Sequence, residues 1–231
     1  MRMVTVPGTG ECFDLHRPGA VAAWNRALNR RYAMDNLRRH PSGLVRRIEA
    51  RRRRAVAALV PPFDRALDLG AEDGSLAEAW AGKGRCTVLL DLDAAMLRRA
   101  ARPGVAADAA RLPLADASFD VVVLSAVLEH VLEPEAVVSE CARGLRPGGR
   151  MVAYVPWDGA VVPLKRWARR LGVGLGKLHD GLAPGHLRTF DRGRLRRLFA
   201  PAAARVRVRL DPLSLGYYVA ATAPESGGGD A

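Results

Sequence analysis

From residue 63 onward, apolar and polar positions switch repeatedly between a two-residue and a helical period. Arg65-Ala66-Leu67-Asp68-Leu69 reads as a buried strand, and Gly70 to Gly74 as a tight turn. Leu76, Ala77, Trp80 and Ala81 then recur at helical spacing. The same sequence of signals follows at Cys86 to Leu90, which runs to Asp91. Beyond it, Met96, Leu97 and Ala100 share one face of a helix that Asp93 is placed to cap. Val105-Ala106-Ala107 precedes Asp108, and Phe119 to Leu124 is apolar enough to be a strand covered on both faces of a parallel sheet. Glu133-Pro134-Glu135 opens another helix, with proline in the first turn and acids at the positive end of its dipole. Pro147-Gly148-Gly149 closes that helix before the strand Met151 to Val155. Five β–α units in succession predict an α/β fold with a parallel sheet.

The last third departs from that alternation. Residues 157–190 read as an insertion and 191–199 as a short helix. Arg205, Arg207 and Arg209 then alternate with Val206, Val208 and Leu210, as expected of a half-exposed strand near a sheet edge. Leu215 to Thr222 follows after only a few residues, so the two strands should pair antiparallel as a hairpin. The expected organisation is a basic helical extension over 1–62, a body over 63–223 and a disordered tail over 224–231.

With 231 residues, about half of them apolar, the chain can bury one substantial core. Its formal charge of +12 is unevenly placed, because residues 1–62 hold thirteen arginines against Glu11, Asp14, Asp35 and Glu49. The only lysines are Lys83, Lys165 and Lys177, and the arginine and alanine bias fits a GC-rich coding sequence as well as it fits nucleic acid. Cys12, Cys86 and Cys141 are odd in number and widely spaced, which argues against a disulfide framework or a zinc site and for a reducing, cytoplasmic setting. No metal site is expected. No stretch reaches the roughly 18 apolar residues of a membrane span.

Candidate chemistry gathers where strands end. The spacing from Gly70 to Gly74 is not the G-x-G-x-x-G of a dinucleotide site. It resembles instead the D-x-G-x-G-x-G turn of class I S-adenosylmethionine-dependent methyltransferases, with Asp68, Gly70 and Gly74 matching. The ordered series DLGAEDG, LLDLDAAML, ADAARLPLADASFDVVVLSAVLEHV and RGLRPGGRMVAYVP is similar to the small-molecule "type 11" group of that superfamily, over about residues 63 to 156, with a weaker echo in GHLRTF at 185–190. This resemblance implies a Rossmann-like fold, a mostly parallel seven-stranded sheet with an antiparallel last strand and helices on both faces. It also implies S-adenosylmethionine as cofactor. Asp68, Gly70 and Gly74 would shape the turn beneath the cofactor's methionine and ribose. Asp91 would accept both ribose hydroxyls, as a carboxylate can do side by side. Asp108 and the Ala109 amide would meet the adenine edge, Leu92 and Met96 its faces, and Ser125 would border the site. Met96 reads equally as core.

Glu72 stands where the middle glycine is usual. Either it points away from the turn and is harmless, or it weakens cofactor binding in a degenerate, non-catalytic relative. His130, just past the fourth strand, and His186 are candidate bases for a hydroxyl acceptor; His130 reads also as a hydrogen-bonded residue at the rim of the sheet. Tyr32, Trp157 and Arg188 are candidate acceptor contacts. His16 and His40 read as surface residues, and His179 carries no signal.

Within the extension, Pro41-Ser42 can start a helix with Leu44, Val45, Ile48, Val56 and Leu59 along one stripe and Arg46, Arg47 and Arg51 to Arg54 around it. Such a segment could lid the site, with one arginine gripping a carboxylate; for most of the arginines a solvated face is the simpler reading. Leu164, Trp167 and Leu171 share a helical face among Lys165, Arg166, Arg169 and Arg170, so 161–175 reads as an acceptor lid or as a peripheral membrane contact. The expected function is methyl transfer to a small molecule at a hydroxyl oxygen, of natural-product, quinone or lipid-like kind. The alternative partner is RNA, through the four-arginine run.

Overall fold

A computed structural model of the chain describes residues 3–5, 11–15, 17, 19–21, 23–24, 26–27, 43–159, 162–163, 167, 170 and 186–225. The sheet is built outward from β3 (Phe63–Leu69), which pairs parallel with β4 (Gly84–Asp91) on one side and β6 (Phe119–Ser125) on the other. β5 (Gly104–Ala106) lies beyond β4, and β7 (Leu145–Pro156) beyond β6, both parallel. β9 (Gly216–Thr222) pairs antiparallel with β7, and β8 (Arg205–Asp211) forms the edge beside β9. The order is β5-β4-β3-β6-β7-β9-β8, a mostly parallel seven-stranded sheet with its last strand antiparallel, as the resemblance implies. Strand order reverses between β3 and β6, and a crevice above the carboxyl ends of the strands at such a point is where open α/β sheets bind ligands.

Period-two patterning sorts each central strand between two cores. Leu67, Leu69, Val122 and Leu124 face one side, where Val137, Val138 and Cys141 of α3 (Pro134–Gly144) and Leu195 and Phe199 of α4 (Arg192–Phe199) pack. Ala66, Val121 and Val123 face the other, against Val56 and Ala57 of α1 (Gly43–Leu59) and the ring of Trp80. On β8, Arg205, Arg207 and Arg209 are exposed while Val208 is buried, as its alternation predicts.

Three local expectations are corrected. The helix after the glycine turn is a 3-10 segment, Ala77–Lys83, which ends at Gly84. Its buried Ala77 and Trp80, three apart, eclipse in that geometry. α2 is one turn, Ala94–Leu97, capped by the Asp93 carboxylate accepting from the Ala95 amide at 2.9 Å. The extension is not wholly helical: β1 (Met3–Thr5) pairs antiparallel with β2 (Cys12–Asp14).

α1 forms as expected, with Val56 and Ala57 in the core, and charged side chains fix the rest of it. Leu44 is exposed, whereas Glu49 is buried and accepts from Arg52 at 2.7 Å. Arg51 reaches Asp211 at 2.7 and 3.2 Å, Arg53 donates to the Ser75 carbonyl, and Lys83 donates to the carbonyls of Ala57 and Val60 at the helix end. The arginine run is therefore an attachment of α1 to the body, and Arg46, Arg47 and Arg54 remain the exposed face.

Phe199 is fully buried between α4 and the sheet. Phe199→Ala is expected to cost about 3–5 kcal/mol, read as a loss of denaturation midpoint in urea with the folded-state circular dichroism retained.

Candidate active site

Three residues of the turn after β3 adopt left-handed backbone: Gly70 (φ 72°), Glu72 (φ 51°) and Gly74 (φ 73°). A side chain on Gly70 would lie 2.5 Å from Val127 Cγ2, and one on Gly74 would lie 2.6 Å from Leu89 Cδ1, so only glycine fits either position. The amides of Gly70 and Ala71 both donate to the Leu90 carbonyl, at 2.7 and 3.1 Å. Asp91 then ties the turn down from β4. Its Oδ2 accepts from the Glu72 amide at 2.9 Å and its Oδ1 from the Asp93 amide at 2.8 Å. A carboxylate offers about four lone-pair sites, so two remain for a pair of hydroxyls.

The other candidate positions fall around this turn. Asp108 is exposed beyond β5 and accepts from the Ala110 amide at 2.9 Å; Leu92, Met96 and Ala109 are partly exposed along the same rim. Met96 is therefore not interior packing, a role that Leu97 fills. On the β3 and β6 strands, Asp68 Oδ2 and Ser125 Oγ are buried with no hydrogen-bond partner among the described residues. Such groups are costly unless something pairs with them.

Electrostatically the turn is an acid pocket. Burial, and then the neighbouring charges of Asp91 and Glu72, push the Asp68 carboxyl up to about 8. Burial and Asp91 push Glu72 up to about 7, with Arg52 opposing. Asp91 is itself raised by burial, against the pull of the amides it accepts from. Glu72 is partly buried, so the reading in which it points out into solvent is not what the fold shows.

A second polar cluster lies above β6 and β7. Glu129 and His130 sit in the turn after β6, where the Leu187 amide donates to the Glu129 carbonyl at 2.7 Å and draws in the 186–190 segment. The His186 ring meets the His130 ring edge-on at 4.9 Å. His186 Nδ1 lies 2.7 Å from Asp158 Oδ2, and the Nε2 atoms of both histidines lie 4.0 Å from Glu129 Oε1. Glu129 is fully buried, and neither carboxylate oxygen has a partner on another described residue. Burial pushes its carboxyl up to about 7, opposed first by His186. Leu15, Trp24 and Ala27 of the extension form a small core with Leu132 and Leu187, so the extension covers this end of the sheet.

The structure thus unites His130 with His186 and sets Trp157 nearby, half-buried at 6.4 Å from the Tyr217 ring. Arg188 donates to the Leu132 carbonyl and serves to hold its segment in place. Tyr32, His16, His40 and His179 lie outside the described residues, as does most of 161–175, where Trp167 is described and exposed. From the sequence no role falls to Glu129 or Asp158, and Arg52 figures only as one of a run. The signals were an acid beside His130, an acid just past the fifth parallel strand, and an arginine three residues from Glu49 on one helix face.

Comparison with known proteins gives a consistent result. Residues 67–153 match the family model described as a methyltransferase domain. A demethylmenaquinone methyltransferase of Mycobacterium sp. (strain KMS) is 38% identical over 138 residues, covering 58% of this chain and 59% of the relative. A protein of the same name from Renibacterium salmoninarum is 40% identical over 96 residues, 39% of this chain and 40% of that one. The chain thus spans less than two thirds of the length of these relatives. Among solved structures, a possible histamine N-methyltransferase of Thermotoga maritima superposes with a TM-score of 0.65 at 17% identity, covering 87% of this chain and 99% of that one. The N-methyltransferase NodS of Bradyrhizobium japonicum, in complex with S-adenosyl-L-homocysteine, gives 0.60 at 16% identity, covering 87% and 99%.

Asp68, Glu72 and Glu129 hold protons in the folded chain at pH values where the unfolded chain has lost them. Their contribution to stability is complete below about pH 4 and is lost as pH rises to about 7–8. The ligand-free protein is therefore expected to melt at falling temperature from pH 5 to pH 8, with Asp68→Asn flattening part of that slope. A melting temperature that rises over this range would contradict the assignment.

Proposed function

We propose that this chain, whose residues 67–153 match the model of a methyltransferase domain, is a class I S-adenosylmethionine-dependent methyltransferase of the type 11 group and that it methylates a small-molecule acceptor of quinone or lipid-like kind at a hydroxyl oxygen. The observation that carries the reading is the Asp91 carboxylate, fixed by two amides with its remaining lone pairs available, beside a turn that only glycine geometry permits. When bound, S-adenosylmethionine supplies a methyl already activated by a sulfonium, which passes to the acceptor oxygen as the C–S bonding pair returns to sulfur.

The chain's own part is positioning, and in-line alignment supplies much of such a rate. Asp91 holds the ribose diol. Asp108 and the Ala109 amide take the adenine edge, with Leu92 and Met96 on its faces. Asp68 and Glu72 receive the ammonium of the amino-acid end, which answers both the buried unpaired oxygen of Asp68 and the crowding of three acids. On this reading Glu72 replaces the room of a glycine with a counter-charge, and the turn is functional. The acceptor lies between the N-terminal extension and the segment after β7, where its hydroxyl meets the imidazoles of His130 and His186 and leaves its proton there. Support for a quinone-type acceptor comes from the names of the relatives, and for a lid from the Leu15, Trp24 and Ala27 core against Leu132 and Leu187.

S-adenosylhomocysteine is expected to raise the melting temperature, and Asp91→Ala to abolish most of that shift; an undiminished shift would refute the ribose assignment. Calorimetry supplies a second check. Asp68 and Glu72 must lose protons to pair with an ammonium, so binding should release protons and tighten from pH 6 to 7.5, below the range of about 7.7–8.0 where an α-amino group itself deprotonates. Glu72→Gly should reduce the proton release while leaving the turn folded. Transfer of labelled methyl to a hydroquinone probe would confirm the acceptor class, and a product methylated at carbon would overturn the oxygen assignment.

A further inference from the structure

The donor set above β6 and β7 has a feature that hydrogen bonding does not explain. Glu129 is a fully buried carboxylate with two oxygens that find no partner on another described residue. Two imidazole Nε2 atoms point to within 4.0 Å of one of those oxygens, and the donor atoms of Glu129, His130 and His186 all lie within 4.8 Å of one another. We propose that Glu129, His130 and His186 form a site for a divalent first-row metal ion, with Asp158 as its outer support, at the acceptor end of the sheet.

Three observations converge on it. Two imidazoles and one carboxylate are a recurrent ligand set for zinc and its neighbours, whereas magnesium and calcium prefer oxygen alone. His186 is oriented from behind, since its Nδ1 is 2.7 Å from Asp158 and its Nε2 is thereby turned to the cluster. A carboxylate behind a ligating histidine fixes the tautomer and raises the basicity of the facing nitrogen. Arg52, whose charge Glu129 feels, competes little, because it is held by Glu49 at 2.7 Å. Around zinc at bond lengths of about 2.0–2.1 Å, tetrahedral donors stand roughly 3.3 Å apart. The 4.0 Å separations therefore need to close by about 0.7 Å, and the widest, within 4.8 Å, by up to about 1.5 Å, when an ion draws the three donors together.

Three protein ligands leave a coordination position open. An oxygen donor fills it: water in the resting protein and, on the function proposed above, the acceptor hydroxyl. Coordination lowers the pKa of such a hydroxyl, so its proton passes to solvent before methylation and the imidazoles act as ligands in place of bases. The ligand geometry stands without that reading; only the role toward the acceptor rests on it.

The test uses the whole chain, stripped with a chelator and titrated with Co2+ under visible absorption, with Zn2+ as competitor. One equivalent should bind, with a spectrum typical of mixed nitrogen and oxygen ligation. His130→Ala and Glu129→Gln should each weaken binding roughly 100-fold or more, and Asp158→Asn by about 10–100-fold. Because His130 is the most exposed of the three ligands, at 23% against 5% for His186 and 1% for Glu129, its removal disturbs the interior least and keeps the test informative if Glu129→Gln unfolds. Co2+ affinity shared by all variants, or no stoichiometric binding, would overturn the site. S-adenosylhomocysteine binding is measured in parallel. A protein that binds one Co2+ but no S-adenosylhomocysteine sinks the methyl-transfer reading alone, and the converse sinks the metal site alone.

Discussion

The carboxylate of Asp91 joins the two loops on which the upper surface of this fold depends. It accepts the Glu72 amide from the turn after β3 and the Asp93 amide from the start of α2, at 2.9 and 2.8 Å. Charge-assisted bonds of this kind are about twice as strong as neutral ones. They hold Glu72 in a left-handed conformation that an ordinary side chain avoids. The turn after β3 keeps its shape because β3 and β4 are clamped at their carboxyl ends.

That clamp concentrates negative charge where charge is expensive. Asp68, Glu72 and Asp91 crowd one end of β3 and β4, and Glu129 lies buried at the end of β6. Around them α1 places Arg52 and Arg53, while Arg51 anchors the helix to Asp211 beside the last hairpin. The helix is thus both a wall of the core and a source of compensating cations. What remains uncompensated is local: Asp68, Ser125 and Glu129 each keep a buried oxygen with no partner on another described residue. A protein tolerates such groups where a ligand, a cofactor or an ion supplies the missing partner.

The sheet was legible from the chain because its signal is local and redundant. Val121 to Leu124 has no polar position, so it had to be covered on both faces, and Arg205 to Leu210 alternates so strictly that one face had to meet water. Asp68, Gly70, Gly74, Asp91 and Asp108 were legible for a similar reason, since each ends a strand or shapes the turn after one. The exact helix types were not, because one turn of α2 and the 3-10 segment before Gly84 differ by a hydrogen-bond register that composition barely biases. Nor was the β1–β2 pair, whose strands are three residues each and carry little pattern.

By itself the sequence determined the succession of strands and helices, the edge, the antiparallel closure and the acids that crown successive strands, because hydrophobic periodicity and turn chemistry act over a few residues. Only the tertiary structure decided which distant groups meet. It set Arg52 against Glu49 and the Tyr154 ring, and it aimed His186 from Asp158 toward Glu129 and His130 across about 57 residues of chain. It also made Arg51 and Arg53, read from the sequence as a solvated face, into attachments of α1 to the body. Such contacts depend on burial and charge at separations that no local window contains, so they appear only once the sheet has brought its strand ends together.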